Sequence, residues 1–181
     1  TMIKRTFDAW SSLIALIILL PLLALISIVI ILESRGGFLF RQERVGKRGI
    51  TFELLKFRSM RDNVPGPLIT MGESDTRITR SGQWLRRTKL DELPQLWNVF
   101  VGHMSIVGPR PEVPKYVALY DEEMRQILNV RPGLTDPASI EAFDEGAELA
   151  AAKDPEAHFN ESEGYFSRIW IRRTQHEGAR N

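Results

Sequence analysis

Cysteine is absent from the 181 residues, which excludes disulfide scaffolds, thiolate metal centres and cysteine nucleophiles. Histidine is scarce: His103, His158 and His176 are the only three, and they are too scattered to offer the ligand spacing of a zinc site. No glycine-rich phosphate loop of the Walker or dinucleotide type occurs, so any chemistry must rest on carboxylates and basic groups. Internal repeats are also missing. Net charge is nearly absent at +1, yet this is a cancellation: residues 1–90 hold 15 basic and 7 acidic side chains, and residues 91–181 hold 9 and 16. A basic first half suits the phosphates of nucleic acid, anionic lipid or a phosphorylated substrate. With 43% hydrophobic residues spread along a chain about one domain long, disorder is not expected.

The longest absence is of charge, from Ala9 to Leu32, and from Leu13 onward that stretch is almost wholly aliphatic. About 20 consecutive apolar residues meet the length test for crossing a bilayer. The run exceeds a signal-peptide core and no small-x-small cleavage site follows, so it is expected to stay in the mature protein. Thr1, ahead of Met2, reads as an expression remnant and is left aside. Pro21 stands near the middle, where it removes a backbone donor and crowds the preceding turn, so a kink is expected there. Each half would be about 16 to 18 Å long, roughly half of a hydrocarbon core of about 30 Å. Lys4 and Arg5 precede the run, and Arg35, Arg41, Arg44, Lys47 and Arg48 follow it. Positive flanks on both sides favour both ends being cytoplasmic, which a straight span cannot satisfy. A single Pro-kinked spanning helix is the alternative; a re-entrant helix-break-helix hairpin is the preferred reading.

Beyond the run, Gly36-Gly37 is expected to end the helix, and two short strands flank Gly46-Lys47-Arg48-Gly49. Residues 61–76 read as a long loop of the kind that forms lids. A short helix is expected over Gln83–Arg87 with Ser81 as its cap, then another over Asp91–Val101 with Pro94 in the first turn and Gly102 at its end. Met104–Val107 is a buried-strand candidate entering the stiff turn Gly108-Pro109-Arg110-Pro111. Lys115–Leu128 has the spacing of an amphipathic helix, suited to core packing or to a membrane interface, and Arg131-Pro132-Gly133 opens another turn. Glu145–Lys153 reads as an acidic surface helix and Tyr165–Ile171 as a short apolar patch.

The constellation that points to chemistry is Leu90-Asp91-Glu92-Leu93-Pro94, preceded by Arg86, Arg87 and Lys89. In a first helical turn, free N–H groups, the dipole and nearby cations would all favour ionised carboxylates and a lowered Asp91 pKa. Such an Asp is a competent nucleophile toward phosphorus and a good ligand for Mg²⁺, and a second carboxylate allows the two roles to be divided. Helix capping alone explains most Asp-Glu pairs at such positions. Lys56 and Arg58 on a strand, with Arg110 and Arg131 beside prolines, would form a diphosphate clamp if they converged; taken separately they read as surface ion-pair partners.

Together, Arg44-Val45-Gly46, Lys56-Phe57-Arg58-Ser59-Met60, Leu85-Arg86-Arg87-Thr88, Leu90 to Val99, Met104 to Pro111 and Val130 to Thr135 closely resemble the bacterial sugar transferases known as small monotopic phosphoglycosyl transferases. The match runs from about Lys4 to Ile140. The resemblance implies a ping-pong transfer of a sugar 1-phosphate from a UDP-sugar to undecaprenyl phosphate, with release of UMP and a requirement for Mg²⁺. By motif position Asp91 would form the covalent phosphosugar intermediate and, with Glu92, hold the metal. Lys56, Arg58, Arg86, Arg110 and Arg131 would contact phosphate, nucleotide or lipid headgroup. Two departures stand out: Leu20 occupies a place before Pro21 where many members have Ser, so the bend must rely on other partners, and Asp136-Pro137-Ala138-Ser139-Ile140 replaces a commoner Gly-containing continuation.

The expected architecture is therefore α/β: a re-entrant membrane hairpin over residues 2–35, with Pro21 as its break, and a small mixed α/β catalytic domain with interfacial amphipathic helices over 36–181, of which 159–181 carry no recognisable pattern. The expected location is the cytoplasmic face of the bacterial inner membrane, with a UDP-sugar, undecaprenyl phosphate and the phospholipid bilayer as partners, a second copy of the chain as a further candidate, and no nucleic acid. The alternative is a non-catalytic, membrane-anchored nucleotide-sugar-binding or scaffold protein of the same fold.

Overall fold

Helix α1, Met2–Glu33, forms where the sequence is most apolar, with a mean hydropathy of 3.3 over its best 18 residues. The computed structural model describes residues 2–61 and 75–136. Most of the expected 61–76 loop, and all of the expected acidic helix and C-terminal apolar patch, lie outside the described residues. The structure assigns Met2–Glu33 to one helix that includes Pro21, and it does not show the expected helix-break-helix division. A single internal proline forfeits one hydrogen bond and strains the turn before it, but aliphatic residues on both sides keep the helical ladder going. Ser12 and Ser27 turn their hydroxyls back onto the helix, donating to Asp8 O and Leu23 O at 2.7 Å each. The helix ends as expected, with Gly36 in the left-handed region at φ 119°.

The chain divides into two compact units. The first comprises residues 1–42 and 53–102, the second residues 43–52 and 103–181. The expected hairpin is present: strands β1, Leu39–Val45, and β2, Thr51–Phe57, pair around a tight turn with Arg48 at φ 61° and Gly49 at φ 76°.

In the first unit, Ile26 and Ile30 of α1 pack with Phe57 of β2 and Leu85 of helix α2, Arg80–Arg87, and Leu90 and Leu93 lie against this core. The cap of α2 is Thr79, which accepts from Gly82 N at 3.0 Å, and not Ser81, so the helix begins three residues earlier than expected. Both ends of α1 grip this unit. Near its start, the Arg5 guanidinium donates to Val99 O at 2.7 Å and to Phe100 O, capping the C-terminus of helix α3, Gln95–Val101. At its far end, the Glu33 carboxylate accepts from Arg80 N at 2.8 Å, Ser81 N at 3.0 Å and the Ser81 hydroxyl, capping the N-terminus of α2. Between these ends Ile14, Ile17, Ile18, Leu20 and Leu25 are exposed.

The second unit contains strands β3, Ser105–Val107, and β4, Gly133–Thr135, paired in parallel with Ser105 opposite Gly133 and Val107 opposite Thr135. The expected helix over Lys115–Leu128 is corrected to two pieces, α4, Pro114–Val117, and a 3-10 segment, Met124–Asn129. The apolar spacing was helical, but local polar bonds interrupt the ladder. Asp121 Oδ1 accepts from Met124 N at 2.7 Å and starts a new turn, while Arg125 Nε donates to Tyr120 O at 3.1 Å.

Candidate active site

Asp91 and Glu92 are not in the first turn of a long helix. Leu90–Glu92 forms a separate 3-10 turn, entered through Lys89 in the left-handed region at φ 58°, and α3 starts only after Pro94. Leu90 and Leu93 anchor this turn on either side against the core of Ile26, Ile30, Phe57 and Leu85, so the two acidic residues are displayed by packing rather than by a helix terminus. Gly102, at φ 96°, then ends α3 where it was expected.

Asp91 is only 8% exposed, and its Oδ1 is buried with no hydrogen-bond donor among the described residues. The expectation of a lowered Asp91 pKa is reversed. Burial strips solvent from the carboxylate and pushes its pKa up; Lys56 pulls it down, the neighbouring Glu92 charge adds to the rise, and Arg86 and Lys89 oppose it. Desolvation outweighs the surrounding cations. Glu92 is held by Lys56, whose Nζ lies 2.9 Å from Oε1. The structure thus brings Asp91, Glu92, Lys56 and the field of Arg86 together in the first unit. Arg58 is put to another use: its guanidinium donates to Arg35 O at 2.9 Å, Ser34 O at 2.8 Å and Ser34 Oγ at 3.0 Å, neutralising the carbonyl-rich end of α1 from a buried position.

Arg110 and Arg131 belong to the second unit, and both are exposed. The turns that carry them are laced together by backbone bonds: Gly133 N donates to Pro109 O at 2.8 Å, Gly108 N to Thr135 O at 3.0 Å and Ser105 N to Pro132 O at 2.8 Å. Beside Arg110, a small cleft is lined by Val45, Pro109, Pro111, Tyr120, Ile127 and Val130, among others. Glu112 in its wall, 3% exposed, pairs with Arg44 at 3.2 Å and accepts from Val113 N at 3.1 Å.

Two supporting residues escaped the reading of the sequence. Glu112 sits between Pro111 and Val113, and its only signal is an acid beside apolar neighbours in a stiff turn. Asn98 interrupts the otherwise apolar Leu96–Val101 stretch, and a polar residue at a buried helix position is the signal that marks it.

Among the described residues no group of three or more His, Asp or Glu side chains gathers as a metal cage. Mg²⁺ commonly uses one or two carboxylates plus substrate phosphates, and the orphaned Asp91 Oδ1 beside the Glu92 carboxylate fits that habit.

The bacterial sugar transferase family model matches residues 1–167. This chain belongs to that family. The transferase is 46% identical over 147 residues to the exopolysaccharide production protein PSS of Rhizobium leguminosarum bv. phaseoli, covering 76% of the chain and 73% of the relative. It is 43% identical over 145 residues to the undecaprenyl-phosphate glucose phosphotransferase of Komagataeibacter xylinus, covering 76% of the chain but 27% of that protein. With the UDP-N-acetylgalactosamine-undecaprenyl-phosphate N-acetylgalactosaminephosphotransferase of Aeromonas hydrophila it shares 40% identity over 142 residues, 76% of the chain and 34% of the relative. The transferase thus spans about a quarter to a third of these last two proteins, which are named for different sugars.

Proposed function

We propose that this transferase moves a sugar 1-phosphate from a UDP-sugar to undecaprenyl phosphate, with Asp91 as covalent nucleophile. The observation that carries the assignment is the buried Asp91 Oδ1, without a donor among the described residues, beside a Glu92 carboxylate fixed by Lys56. Lone pairs not spent on hydrogen bonds are available to an electrophilic phosphorus. In the first half-reaction a carboxylate oxygen of Asp91 bonds to the sugar-bearing phosphorus, the bond to the bridging oxygen breaks, and UMP leaves with that oxygen. In the second, a phosphate oxygen of undecaprenyl phosphate attacks the same phosphorus, the acyl phosphate bond breaks, and Asp91 is regenerated as a carboxylate. One residue serves both steps, so the soluble donor can leave before the lipid acceptor arrives. Glu92 and Asp91 would hold Mg²⁺, which when bound offsets the negative charge of the phosphates. Lys56 orients Glu92, and Arg86 supplies cationic charge for phosphate groups.

The topology proposed is re-entrant, with both ends of α1 on the cytoplasmic face. A straight helix of 32 residues would be about 48 Å long and would carry Arg5 and Glu33 to opposite sides of a hydrocarbon core of about 30 Å. What supports the same-face reading is that Arg5 and Glu33 both cap helices of one unit, α3 and α2. In the re-entrant form, these two clamps would be the partners that hold a bend at Leu20-Pro21. Trp10, Trp84 and Trp97, at 61%, 54% and 50% exposure, supply aromatic anchors suited to the headgroup level.

The activity is tested by incubating the protein with Mg²⁺, undecaprenyl phosphate and a panel of UDP-sugars. UMP is expected from at least one sugar; none from any would overturn the assignment, and tight UDP-sugar binding without turnover would favour a nucleotide-sugar-binding role. For topology, single cysteines at Thr6 and Gly37 of this cysteine-free chain are expected to react with an impermeant maleimide from the same side of the membrane. Labelling from opposite sides would establish a spanning helix.

A further inference from the structure

We propose that Asn98 is a positioning residue, whose side-chain amide clamps β2 in the register that lets Lys56 hold Glu92; the inference rests on the assignment of Asp91 and Glu92 made above. Asn98 lies on α3 and is 2% exposed. Its Oδ1 accepts from Leu55 N at 3.0 Å and its Nδ2 donates to Glu53 O at 2.7 Å. Along a strand, the carbonyl of one residue and the N–H two residues later face the same edge. The planar side-chain amide, with one acceptor and one donor turned to that edge, therefore takes the place of a peptide unit from a neighbouring strand.

The next residue along β2 is Lys56, which reaches Glu92 at 2.9 Å. Asn98 and Glu92 are six residues apart and are joined by Leu93, Pro94 and the first turn of α3, a short and stiff connection. Two cross-links thus tie the same pair of segments. They differ in kind, because the Lys56–Glu92 pair is partly exposed, with side chains 22% and 29% accessible, and a flexible lysine at such a site sets no register by itself. The buried, bidentate amide can set it. A one-residue slip of β2 would turn Lys56 to the opposite face and leave Glu92 without its cation. The clamp also explains why a polar side chain is tolerated at a buried α3 position: both of its polar atoms are used, and so are two edge groups of β2.

Asn98→Asp is nearly isosteric. It keeps the acceptor for Leu55 N and sets an oxygen against Glu53 O. In the full chain, measured by UMP release, kcat is expected to fall about 10- to 100-fold with KM for the UDP-sugar changing less than about threefold. Because the effect runs through Lys56, Asn98→Asp in a Lys56→Met background is expected to cost less than about threefold further. Multiplicative losses in the double variant, or an unchanged kcat in Asn98→Asp, would overturn the proposal. Asn98→Ser removes the clamp without adding charge and repeats the cycle if the Asp variant does not fold; a protein that folds only with Asn at position 98 assigns the residue to stability and also overturns the proposal. If Lys56→Met and Glu92→Gln each retain wild-type kcat, the active-site assignment itself has failed, a result distinct from additivity in the cycle.

Discussion

Asp91→Asn is expected to lower UMP release by about 10³-fold or more and to abolish the phosphosugar adduct. An amide has the shape of the carboxylate but lacks the anionic oxygen that must bond to phosphorus. Leu90 and Leu93 still anchor the turn and Lys56 still pairs with Glu92, so loss of activity reports loss of the nucleophile rather than collapse of the site. Intact-mass measurement after mixing with the UDP-sugar, in the absence of lipid acceptor, checks this directly: wild type gains the mass of the sugar phosphate and the variant does not. An adduct persisting in the variant would move the covalent role to another residue.

The same substitution is expected to raise thermal stability at neutral pH. Burial holds the Asp91 pKa above its unfolded value of about 3.9, so the folded state binds the proton more tightly than the unfolded state does. The stability contributed by the protonated form is fully present below about pH 3.9 and is lost as pH rises through the higher folded value, leaving a cost wherever Asp91 is ionised. Asn carries no such cost. Melting curves of the two proteins without Mg²⁺ or substrate should therefore separate at pH 7, by about 2–4 °C for each kcal/mol relieved, and converge toward pH 4. A variant that melts lower than wild type at pH 7 would show that the ionised carboxylate is satisfied in the folded state. Higher stability together with lost activity is the pattern of a strained functional group.

These results bear on how far the residues foretold the site. The apolar run, the hairpin and the Gly102 stop depend on local chemistry, namely hydropathy, glycine conformation and turn spacing, and they stand in the structure as expected. The pairing of Lys56 with Glu92 bridges 36 positions, and nothing in local pattern announces it. Arg58 and Arg86 look alike in sequence, yet one caps the end of α1 and the other lends its field to Asp91, because that choice is made by which carbonyls and carboxylates tertiary packing brings near. The sign of the Asp91 shift went astray for the same reason. Neighbouring cations can be counted along the chain, whereas desolvation depends on tertiary packing that sets Leu90 and Leu93 against a core containing Ile26 and Ile30, some 60 positions away. The stretch after Lys115 has a helical period, but Asp121 offers the backbone a competing bond and divides it.

Gly133→Ala is expected to cost about 3 kcal/mol or more and to lower the melting temperature by roughly 6–12 °C. The prolines of Pro109-Arg110-Pro111 and Arg131-Pro132 suggest turns held stiff by ring constraints, but the structure adds a tighter condition. A Cβ at Gly133 would fall well inside contact distance of the Gly108 backbone, and one at Gly108 would meet Arg131 O, the Gly133 nitrogen and the Pro132 carbonyl carbon. Neither glycine adopts a positive φ, so the requirement is for space and not for conformation. Backbone atoms cannot move aside as a side chain can, and relieving the overlap would stretch the bonds from Gly133 N to Pro109 O and from Gly108 N to Thr135 O that join β3 to β4. Gly49→Ala supplies the contrast. Its φ of +76° makes alanine strained, but nothing lies within 4 Å of the added atom, so its cost should stay at about 1–2 kcal/mol. If the two variants melt together, close backbone approach is not what holds the Arg110 and Arg131 turns; if Gly133→Ala falls well below Gly49→Ala, the two arginines owe their placement to the absence of two methyl groups.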